Sequence, residues 1–425
     1  MKSNLKRLDD VCDITLSNVD KKSKPNEKTV KLCNFTDVYH NWAIYFNTTQ
    51  NFMAATANEK NIEILSLKEG DVCITKDSET RDDIGMATYI SETFKDVVLG
   101  YHCALIRPKQ ELNGAYLNAY LNSYLGRKYF TNQASGSGQR YTLTKESIGS
   151  IKIQIPSILT QKTIASLFST IDKKITINKM INDNLEKQAK VIYDYWFNQF
   201  DFPDENGKPY RSSGGKMVWN EELKREIPAG WKSGTIANIG KVFGGATPAT
   251  SNTNYYSSNG IAWATPKDLA SSQNLYFSHG QRDITEEGFK SCSSVLIPSG
   301  SVLMTSRAPI GYLAINCNEV CTNQGFKSVV PNLEVGPYFV FHTLKLLMPY
   351  IKKLGNGSTF AEVSGKDLEG IPVLIPSTDC LQKFNSLVEP LFKKVQCNEQ
   401  ESTELSSLRD YLLPLLMNGQ ATISD

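Results

Sequence analysis

The spacing of apolar positions changes from two to about three and a half residues in the middle of the chain. Ile151, Ile153 and Ile155 alternate with polar residues and precede Pro156, a pattern typical of a strand that ends at the proline. Apolar and amide residues then recur at steps of four and three. This heptad spacing predicts a long helix whose seam packs against a partner helix. The seam comprises Ile164, Phe168, Ile171, Ile175, Asn178, Asn182, Leu185, Ala189, Ile192 and Trp196.

The same pattern returns 220 residues later without a gap. Residues 143–196 align with residues 363–416, and 10 of the 54 aligned positions are identical. The strand and its proline recur at residues 371–376, and a second seam follows them. This second seam comprises Phe384, Val388, Leu391, Val395, Asn398, Ser402, Leu405, Arg409, Leu412 and Leu416.

Segments upstream of each strand repeat more loosely. Residues 70–75 resemble residues 300–305, and residues 84–85 resemble residues 310–311. Each half is therefore predicted to be a variable α/β module of about 150 residues followed by a strand and a long helix. The alternative is chance similarity between two α/β domains. Near the start of the halves, Leu8, Val11 and Ile14 resemble Ile236, Ile239 and Val242.

Both seams are apolar at their ends and polar in the middle. Two matched seams on one chain favour an intramolecular antiparallel pair, in which Asn178 faces Asn398 or Ser402. Such buried amides reduce stability and fix the register of a helix pair. Each helix is expected to span about 33 residues, or about 50 Å. In the alternative, each helix packs only on its own domain and the heptads are incidental.

These patterns predict an α/β fold with two tandem domains related by an internal pseudo-twofold repeat. Two long helices that form an antiparallel coiled coil separate the domains. Proline, glycine and charge dominate residues 201–230, which predicts an exposed connector between the halves. The predicted divisions are a first domain at 1–157, a central helix at 158–200, the connector at 201–230, a second domain at 231–377 and a C-terminal helix at 378–418.

Composition restricts the class of protein. A chain of 425 residues with 40% hydrophobic content suits two or three globular domains. No uncharged apolar run approaches the roughly 20 residues that a membrane span needs, and the first residues lack a secretory pattern. The nine cysteines are scattered without a C-x-x-C pair, which predicts reduced thiols in a cytoplasmic protein. The net charge of +2 neither requires nor excludes a nucleic-acid partner.

Sequence motifs of catalysis are absent. There is no P-loop, no dinucleotide-binding glycine motif, no G-x-S-x-G, no H-E-x-x-H and no Asn/Asp-Pro-Pro-aromatic motif of amino-methyltransferases. The four histidines stand apart, and no cysteine and histidine set has the spacing of a zinc site. The sequence therefore predicts a binding protein with no catalytic residue, no metal and no cofactor.

One loop in each half combines small donors with an aromatic residue and follows a basic pair. The loops are residues 134–141 and 355–360, and the pairs are residues 127–128 and 352–353. This combination suits contact with phosphates and base edges, although an ordinary surface loop is the alternative. The candidate nucleic-acid contacts in these segments are Lys128, Ser137, Gln139 and Arg140 in the first half, and Lys353, Ser358 and Thr359 in the second. Lys76 in the first half, and Ser306 and Arg307 in the second, are further candidates that directly follow the repeated segments 70–75 and 300–305.

The whole arrangement resembles the specificity subunit of type I restriction-modification systems. Short sequence segments at residues 303–311, 322–327 and 227–231 agree with the pattern of this family. The last of them resembles the entry to a target-recognition domain. The first half departs from the pattern, because it has Thr75-Lys76-Asp77 where the second half has Thr305-Ser306-Arg307. The resemblance covers nearly the whole chain.

The resemblance implies a function and a set of partners. Each recognition domain would read one half of a bipartite DNA site, and the paired helices would set the unread gap. The helices would also dock modification subunits, which methylate adenine, and restriction subunits would add cleavage. One alternative is a stand-alone DNA methyltransferase or nuclease, and another is a coiled-coil scaffold without a DNA role.

Overall fold

The computed structural model describes residues 5–137, 140–272, 274–307, 309–355 and 361–423. The chain divides into two compact units, one formed by Met1–Ile177 with Ser402–Asp425 and the other by Asn178–Glu401. Each unit contains one α/β domain and a part of both long helices. The predicted functional division of the chain stays a prediction.

The α/β domain of the first unit contains thirteen short strands and six short helices in its described residues. The strands are β1 (Leu5–Arg7), β2 (Cys12–Leu16), β3 (Lys28–Cys33), β4 (Ala43–Ile44), β5 (Met53–Ala57), β6 (Val72–Thr75), β7 (Asp77–Ser78), β8 (Ala87–Ile90), β9 (Val97–Leu99), β10 (Cys103–Pro108), β11 (Ser135–Ser137), β12 (Arg140–Thr142) and β13 (Lys152–Gln154). The helices are α1 (Leu8–Val11), α2 (Phe35–His40), α3 (Glu59–Leu65), α4 (Gly114–Asn122), α5 (Tyr124–Gln133) and α6 (Lys145–Gly149).

The central sheet of this domain has the strand order β2-β10-β6-β8-β4. Its neighbours are antiparallel, except that the edge strand β4 runs parallel to β8. Smaller sheets have the orders β5-β3-β9, β11-β12-β7 and β1-β13. The predicted loop at residues 134–141 is therefore a β-hairpin in its described part, because β11 pairs with β12. Strand β12 also pairs with β7.

The first long helix follows directly. Helix α7 (Ile158–Tyr193) has 36 residues and continues into a π-helical turn at Asp194–Asn198. The predicted connector is more structured than its composition suggests. It contains a hairpin of β14 (Met217–Asn220) and β15 (Arg225–Pro228), and the Phe202 ring stacks on Trp231 at a centroid distance of 4.8 Å.

The α/β domain of the second unit repeats the first. Its strands are β16 (Lys232–Thr235), β17 (Gly240–Gly244), β18 (Tyr256–Ser257), β19 (Trp263–Ala264), β20 (Tyr276–Phe277), β21 (Asp283–Ile284), β22 (Val302–Met304), β23 (Leu313–Asn316), β24 (Cys321–Thr322), β25 (Lys327–Pro331) and β26 (Pro372–Ile375). Its helices are α8 (Ile236–Ile239), α9 (Pro266–Ser272), α10 (Glu286–Lys290), α11 (Pro337–Leu354) and α12 (Gly365–Glu369). The central sheet has the order β17-β25-β22-β23-β20, and its edge strand β20 again runs parallel to its neighbour.

Hydrogen bonds confirm the loose upstream repeat. The Gly85 N–H donates to the Thr75 carbonyl at 3.0 Å, and the Gly311 N–H donates to the Thr305 carbonyl at 3.0 Å. Both glycines have a positive φ, +77° and +112°, a backbone conformation that side chains with a Cβ rarely adopt. The predicted strands at 151–155 and 371–375 are β13 and β26, which pair with β1 and β16.

The second long helix, α13 (Thr378–Met417), has 40 residues and pairs antiparallel with α7. In the first unit, Phe168 of α7 shares a hydrophobic cluster with Leu416 of α13; in the second unit, Ala189 shares one with Phe384. Every predicted seam position of both helices is buried or half-buried. The heptads therefore mark a real interface, and the helices pack on their domains as well.

The polar middle of the seam lies where the sequence predicts it. The Asn178 Nδ2 donates to the Asn398 carbonyl at 3.4 Å and to Glu401 at 2.8 Å. The Asn398 Nδ2 donates to Asn182 at 2.8 Å. Because Asn178 and Asn398 are each 1% exposed, a shift of the register would leave buried amides without these partners.

Candidate nucleic-acid interface

In the first unit, the residues after β6 meet two other segments of the chain. The Lys76 N–H donates to the His102 carbonyl at 2.9 Å, and the Leu143 N–H donates to the Lys76 carbonyl at 2.8 Å. Asp77 pairs with Thr142 across β7 and β12. Backbone pairing thus gathers polar residues that lie far apart in the sequence.

The Asp77 carboxylate is the centre of this cluster. Its Oδ2 lies 3.0 Å from Lys76 Nζ and 2.8 Å from His102 Nδ1, and the Thr142 hydroxyl donates to its Oδ1 at 2.7 Å. The Arg140 guanidinium lies 2.9 Å from His102 Nδ1. Burial alone would raise the pKa of Asp77, but hydrogen bonds from His102, Thr142 and Lys76 outweigh burial and lower it. The charged carboxylate therefore holds the basic side chains in place.

The cluster borders an open cavity of about 360 Å³. The Lys76 side chain is only 11% exposed, and its Nζ lies 4.7 Å from the centroid of the Tyr101 ring. The Arg140 side chain is 61% exposed and Tyr101 is 48% exposed. An approaching nucleic acid can therefore reach a guanidinium and an aromatic face, which suit phosphate contact and base stacking.

Lys128 lies apart from this cavity. It is exposed on α5, with its Nζ 5.3 Å from the centroid of the Tyr124 ring. Its neighbour Arg127 has a structural role, because its guanidinium donates to the carbonyls of Ile84 and Asp82 at 2.6 and 2.9 Å. Only one member of this basic pair thus faces solvent, and a DNA contact by Lys128 stays a prediction.

Four other predicted contacts fall wholly or partly outside the described residues. Gln139, Ser358 and Thr359 are not described, and only the backbone of Ser137 is described. That backbone pairs with Arg140 at the end of the hairpin. The contacts of these four side chains with DNA stay predictions.

The second unit builds the same backbone arrangement with different side chains. The Ser306 N–H donates to the Gly325 carbonyl at 2.7 Å, and the Val363 N–H donates to the Ser306 carbonyl at 3.0 Å. Arg307 forms an antiparallel bridge with Glu362. The pair Arg307–Glu362 therefore occupies the place that Asp77–Thr142 has in the first unit.

Glu362 is shared between two cations. Its carboxylate lies 3.6 Å from Arg307 Nη1 and 3.3 Å from Lys327 Nζ. The Arg307 and Glu362 side chains are 33% and 38% exposed, whereas that of Lys327 is 17% exposed. An ion pair at this exposure contributes little to stability, so Arg307 can exchange its carboxylate partner for a phosphate or a base at small cost.

The two remaining predicted residues differ in their accessibility. Ser306 is fully buried, and its hydroxyl has no hydrogen-bond partner among the described residues. A base contact by Ser306 would require the surrounding chain to move, and it stays a prediction. Lys353 is exposed in the last turn of α11, from which it can reach a phosphate.

Sequence reasoning missed several members of the two clusters. Thr142 and Glu362 are separated by 220 residues, so the shift that defines the repeat would have identified them. Tyr101 and His102 gave no such signal, because they approach Lys76 only through the pairing of β10 with β6. Among the described residues, the charged, aromatic and hydrogen-bonding members that were missed are Asp77, Tyr101, His102, Thr142, Lys327 and Glu362.

The described residues contain neither a metal-binding cluster nor a membrane-spanning helix. Across residues 5–423 with the gaps stated above, no group of three or more histidine, cysteine, aspartate or glutamate side chains is placed to hold a metal ion. Within the same residues, no helix is both long and apolar enough to cross a membrane.

Comparison with known families agrees with the two-fold repeat. The chain matches the family described as "Type I restriction modification DNA specificity domain" over residues 2–187 and again over residues 228–407. The chain is also similar to a solved structure, the S subunit of a type I restriction-modification system from M. genitalium. That similarity covers 98% of this chain and 96% of the other, with a TM-score of 0.56 and 14% identity, and shows a shared fold.

The chain is also similar in sequence to known type I restriction enzyme specificity subunits. The type I restriction enzyme MjaIX specificity subunit of Methanocaldococcus jannaschii is 39% identical over 204 residues, which are 45% of this chain and 47% of that subunit. The HindI specificity subunit of Haemophilus influenzae is 24% identical over 84% of this chain and 87% of its own length. The matched domain is one of DNA specificity rather than catalysis. With two copies of that domain across most of its length, the chain belongs to the family of type I restriction-modification specificity subunits.

Proposed function

We propose that this chain directs a type I restriction-modification complex to a bipartite DNA site. Each α/β domain reads one half-site, and the paired helices α7 and α13 set the gap between them. The helices also dock the modification subunits, and restriction subunits complete the complex. Catalysis belongs to those partners, and the complex works in the cytoplasm, where chromosomal and invading DNA meet.

One observation carries the proposal. The two domains place different side chains at one structural position, Asp77 with Thr142 in the first and Arg307 with Glu362 in the second. A protein that reads two different sequences with one fold needs this combination of a constant backbone and variable polar groups. Phosphate contacts position a protein on DNA, whereas base-edge contacts specify the sequence.

The accessible cations suit these two tasks. Arg140 and Lys353 are exposed, as phosphate contacts must be. Arg307 is half-buried and paired with Glu362, so its planar guanidinium is partly restrained and still accessible to a base edge. Arginine donating two hydrogen bonds to guanine is the commonest specific contact in the major groove.

Methylation mapping tests the proposal. Cells that carry this gene with its partner genes are sequenced for methylated adenine, with cells lacking only this gene as the control. We expect a split motif of two short sequences separated by a gap of constant length, and we expect it to disappear in the control. A continuous motif, or a split motif that persists without this chain, would contradict the proposal.

Replacement of one domain then assigns the halves. Residues 231–376 are exchanged for the corresponding segment of another family member, which keeps both long helices. We expect one half of the methylated motif to change while the other half and the gap stay the same. A change in both halves would show that the domains do not read independently.

A further inference from the structure

The parallel edge strand of each central sheet has one end next to a carboxylate of a long helix. In the first unit, the Tyr45 hydroxyl follows β4 and donates to Asp172 of α7 at 2.7 Å. In the second unit, the backbone N–H groups of Leu275 and Tyr276, at the start of β20, donate to Glu399 of α13 at 2.7 and 3.0 Å. Both contacts join a domain to the long helix that follows it in the chain.

The two edge strands are equivalent in the repeat. The Trp42 carbonyl, just before β4, accepts from the Tyr89 N–H at 3.0 Å. The Leu275 carbonyl, just before β20, accepts from the Ile315 N–H at 2.8 Å. The segments that contact the helices are therefore equivalent, although the contact is made just after β4 in the first unit and at the start of β20 in the second.

The carboxylates, by contrast, are not equivalent in sequence. A shift of 220 residues places Asp172 on Phe392 and Glu399 on Lys179. Residues 172 and 179 are seven positions apart, which is about two helical turns. Each domain thus donates hydrogen bonds to a carboxylate on a different turn of its helix. A contact that was only inherited with the repeat would use matching positions.

Both carboxylates lie where burial disfavours their charged form. Asp172 is 7% exposed, and burial raises its pKa to about 6, against the effect of the Tyr45 hydrogen bond and the charge of Arg409. Burial likewise raises the pKa of Glu399 to about 7, although two backbone N–H groups oppose the shift. An apolar side chain would avoid this cost, but it would not supply a directional hydrogen bond.

We propose that Asp172 and Glu399 are positioning residues that fix the orientation of each domain on its helix and thereby restrict the protein to one gap length. This inference rests on the proposed function. At about 15 Å, the radius of gyration of a 150-residue domain, a rotation of about 13° moves a surface by about 3.4 Å, one base-pair step. A small rotation of the domain at its edge strand is therefore enough to allow binding to a DNA site with the wrong gap.

The test measures binding of the full chain, assembled with its partner subunits, to duplexes whose gap is the native length or one or two base pairs longer or shorter. Tyr45→Phe removes one contact and Glu399→Leu removes the other. We expect the ratio of affinities for the native and one-step gaps to fall about three- to ten-fold, the contribution of one hydrogen bond. Half-site preference should not change.

Matched controls make the same chemical changes elsewhere. Tyr39→Phe removes a hydrogen bond to Asp83 inside the first domain, and Glu389→Leu removes an ion pair to Lys393 on the surface of α13. Neither control should change the gap ratio. If Tyr45→Phe or Glu399→Leu prevents folding, Asp172→Asn and Glu399→Gln replace them, with a smaller change expected in the same direction.

The outcomes separate this inference from the proposed function. An unchanged gap ratio in every folded variant, or an equal loss of affinity for all gaps, overturns the positioning role and leaves the bipartite site intact. A native protein that shows no preferred gap overturns the positioning role together with the spacer proposal.

Discussion

At the scale of single residues, charge is arranged differently in the two clusters. In the first domain a buried aspartate holds a lysine, a histidine and an arginine, and the exposed group is Arg140. In the second domain the central carboxylate, Glu362, is itself accessible and holds Arg307. The second cluster therefore presents a donor and an acceptor side by side, the pair of groups that base edges recognise.

We expect Arg307→Ala to weaken binding to the native site by about 1–3 kcal/mol if the guanidinium reads a base. The loss should be smaller on duplexes altered at the position that it reads, because those already lack the contact. Binding is measured by titration at two salt concentrations. Lys290→Ala, which breaks an exposed pair with Glu286 in the same domain, is the control and should have little effect.

A uniform loss on all sequences with a shallower salt dependence would assign Arg307 to a phosphate instead. An unchanged affinity and salt slope would exclude Arg307 from the interface.

The buried Asp172 predicts a pH dependence of stability. Its folded-state pKa of about 6 is above the ordinary value of 3.8, so the folded state binds the proton more tightly. This contribution is fully present below about pH 4 and is lost as the pH rises towards 6, by up to about 3 kcal/mol. The difference in unfolding free energy between the native chain and Asp172→Asn, measured by urea titration, should therefore decrease over this range. A constant difference would show that Asp172 ionises normally.

Part of the candidate site could be predicted from the sequence, because basic residues in or beside polar segments indicate accessible cations. Arg140 and Arg307 both lie in the clusters that the fold assembles. The role of a basic residue could not be predicted where that role depends on tertiary contacts. Arg127 and Lys128 are neighbours in sequence, yet one holds backbone carbonyls and the other faces solvent. No local pattern separates those roles, since the carbonyls that Arg127 binds lie more than 40 residues away.

At the scale of elements, the long helices were the most predictable part of the fold. A seam that recurs at heptad spacing requires burial on one side of a helix, and no tertiary context is needed to see it. The strands at 151–155 and 371–375 were predictable for the same reason. Their pairing with β1 and β16 was not, because those strands are distant and short. In residues 201–230, the turn-rich composition gave no sign of the β14–β15 hairpin.

The buried amides of the seam predict a loss of stability on truncation. Asn398→Ala removes the donor to Asn182, which is 8% exposed, and leaves a small cavity. We expect the free energy of unfolding to fall by about 1–3 kcal/mol. The control Asn184→Ala changes an exposed amide of α7, so it should alter stability by less than about 0.5 kcal/mol. Equal effects of the two substitutions, measured by thermal or urea unfolding, would contradict a role for the buried amides.

At the scale of the whole molecule, both compact units take residues from both long helices. Helix α7 passes from the first unit to the second, and α13 returns from the second to the first. At 1.5 Å per residue, the 36 and 40 residues correspond to lengths of about 54 and 60 Å. A change in helix length should therefore change the gap that the protein recognises.

Insertion of four residues into both helices, next to the facing Asn178 and Asn398, tests this relation. Each helix lengthens by about 6 Å, which is close to two base pairs at about 3.4 Å each. Four residues add about 40° beyond a full helical turn, whereas two base pairs turn the DNA by about 70°. Because both rotations are right-handed, the mismatch is only about 30°. A four-residue insertion also unwinds a coiled coil locally without breaking it.

We therefore expect the recognised gap to grow by one or two base pairs while both half-sites keep their sequences, as read by methylation mapping. Insertion into one helix alone should misalign the two seams and reduce binding to the full site, because Asn178 and Asn398 would no longer face each other. The control places the same four residues in the exposed turn at residues 205–207, outside both helices, and should leave the gap unchanged. If the double insertion preserves the original gap at full affinity, the helices do not measure it, and the spacing must be set within the domains themselves.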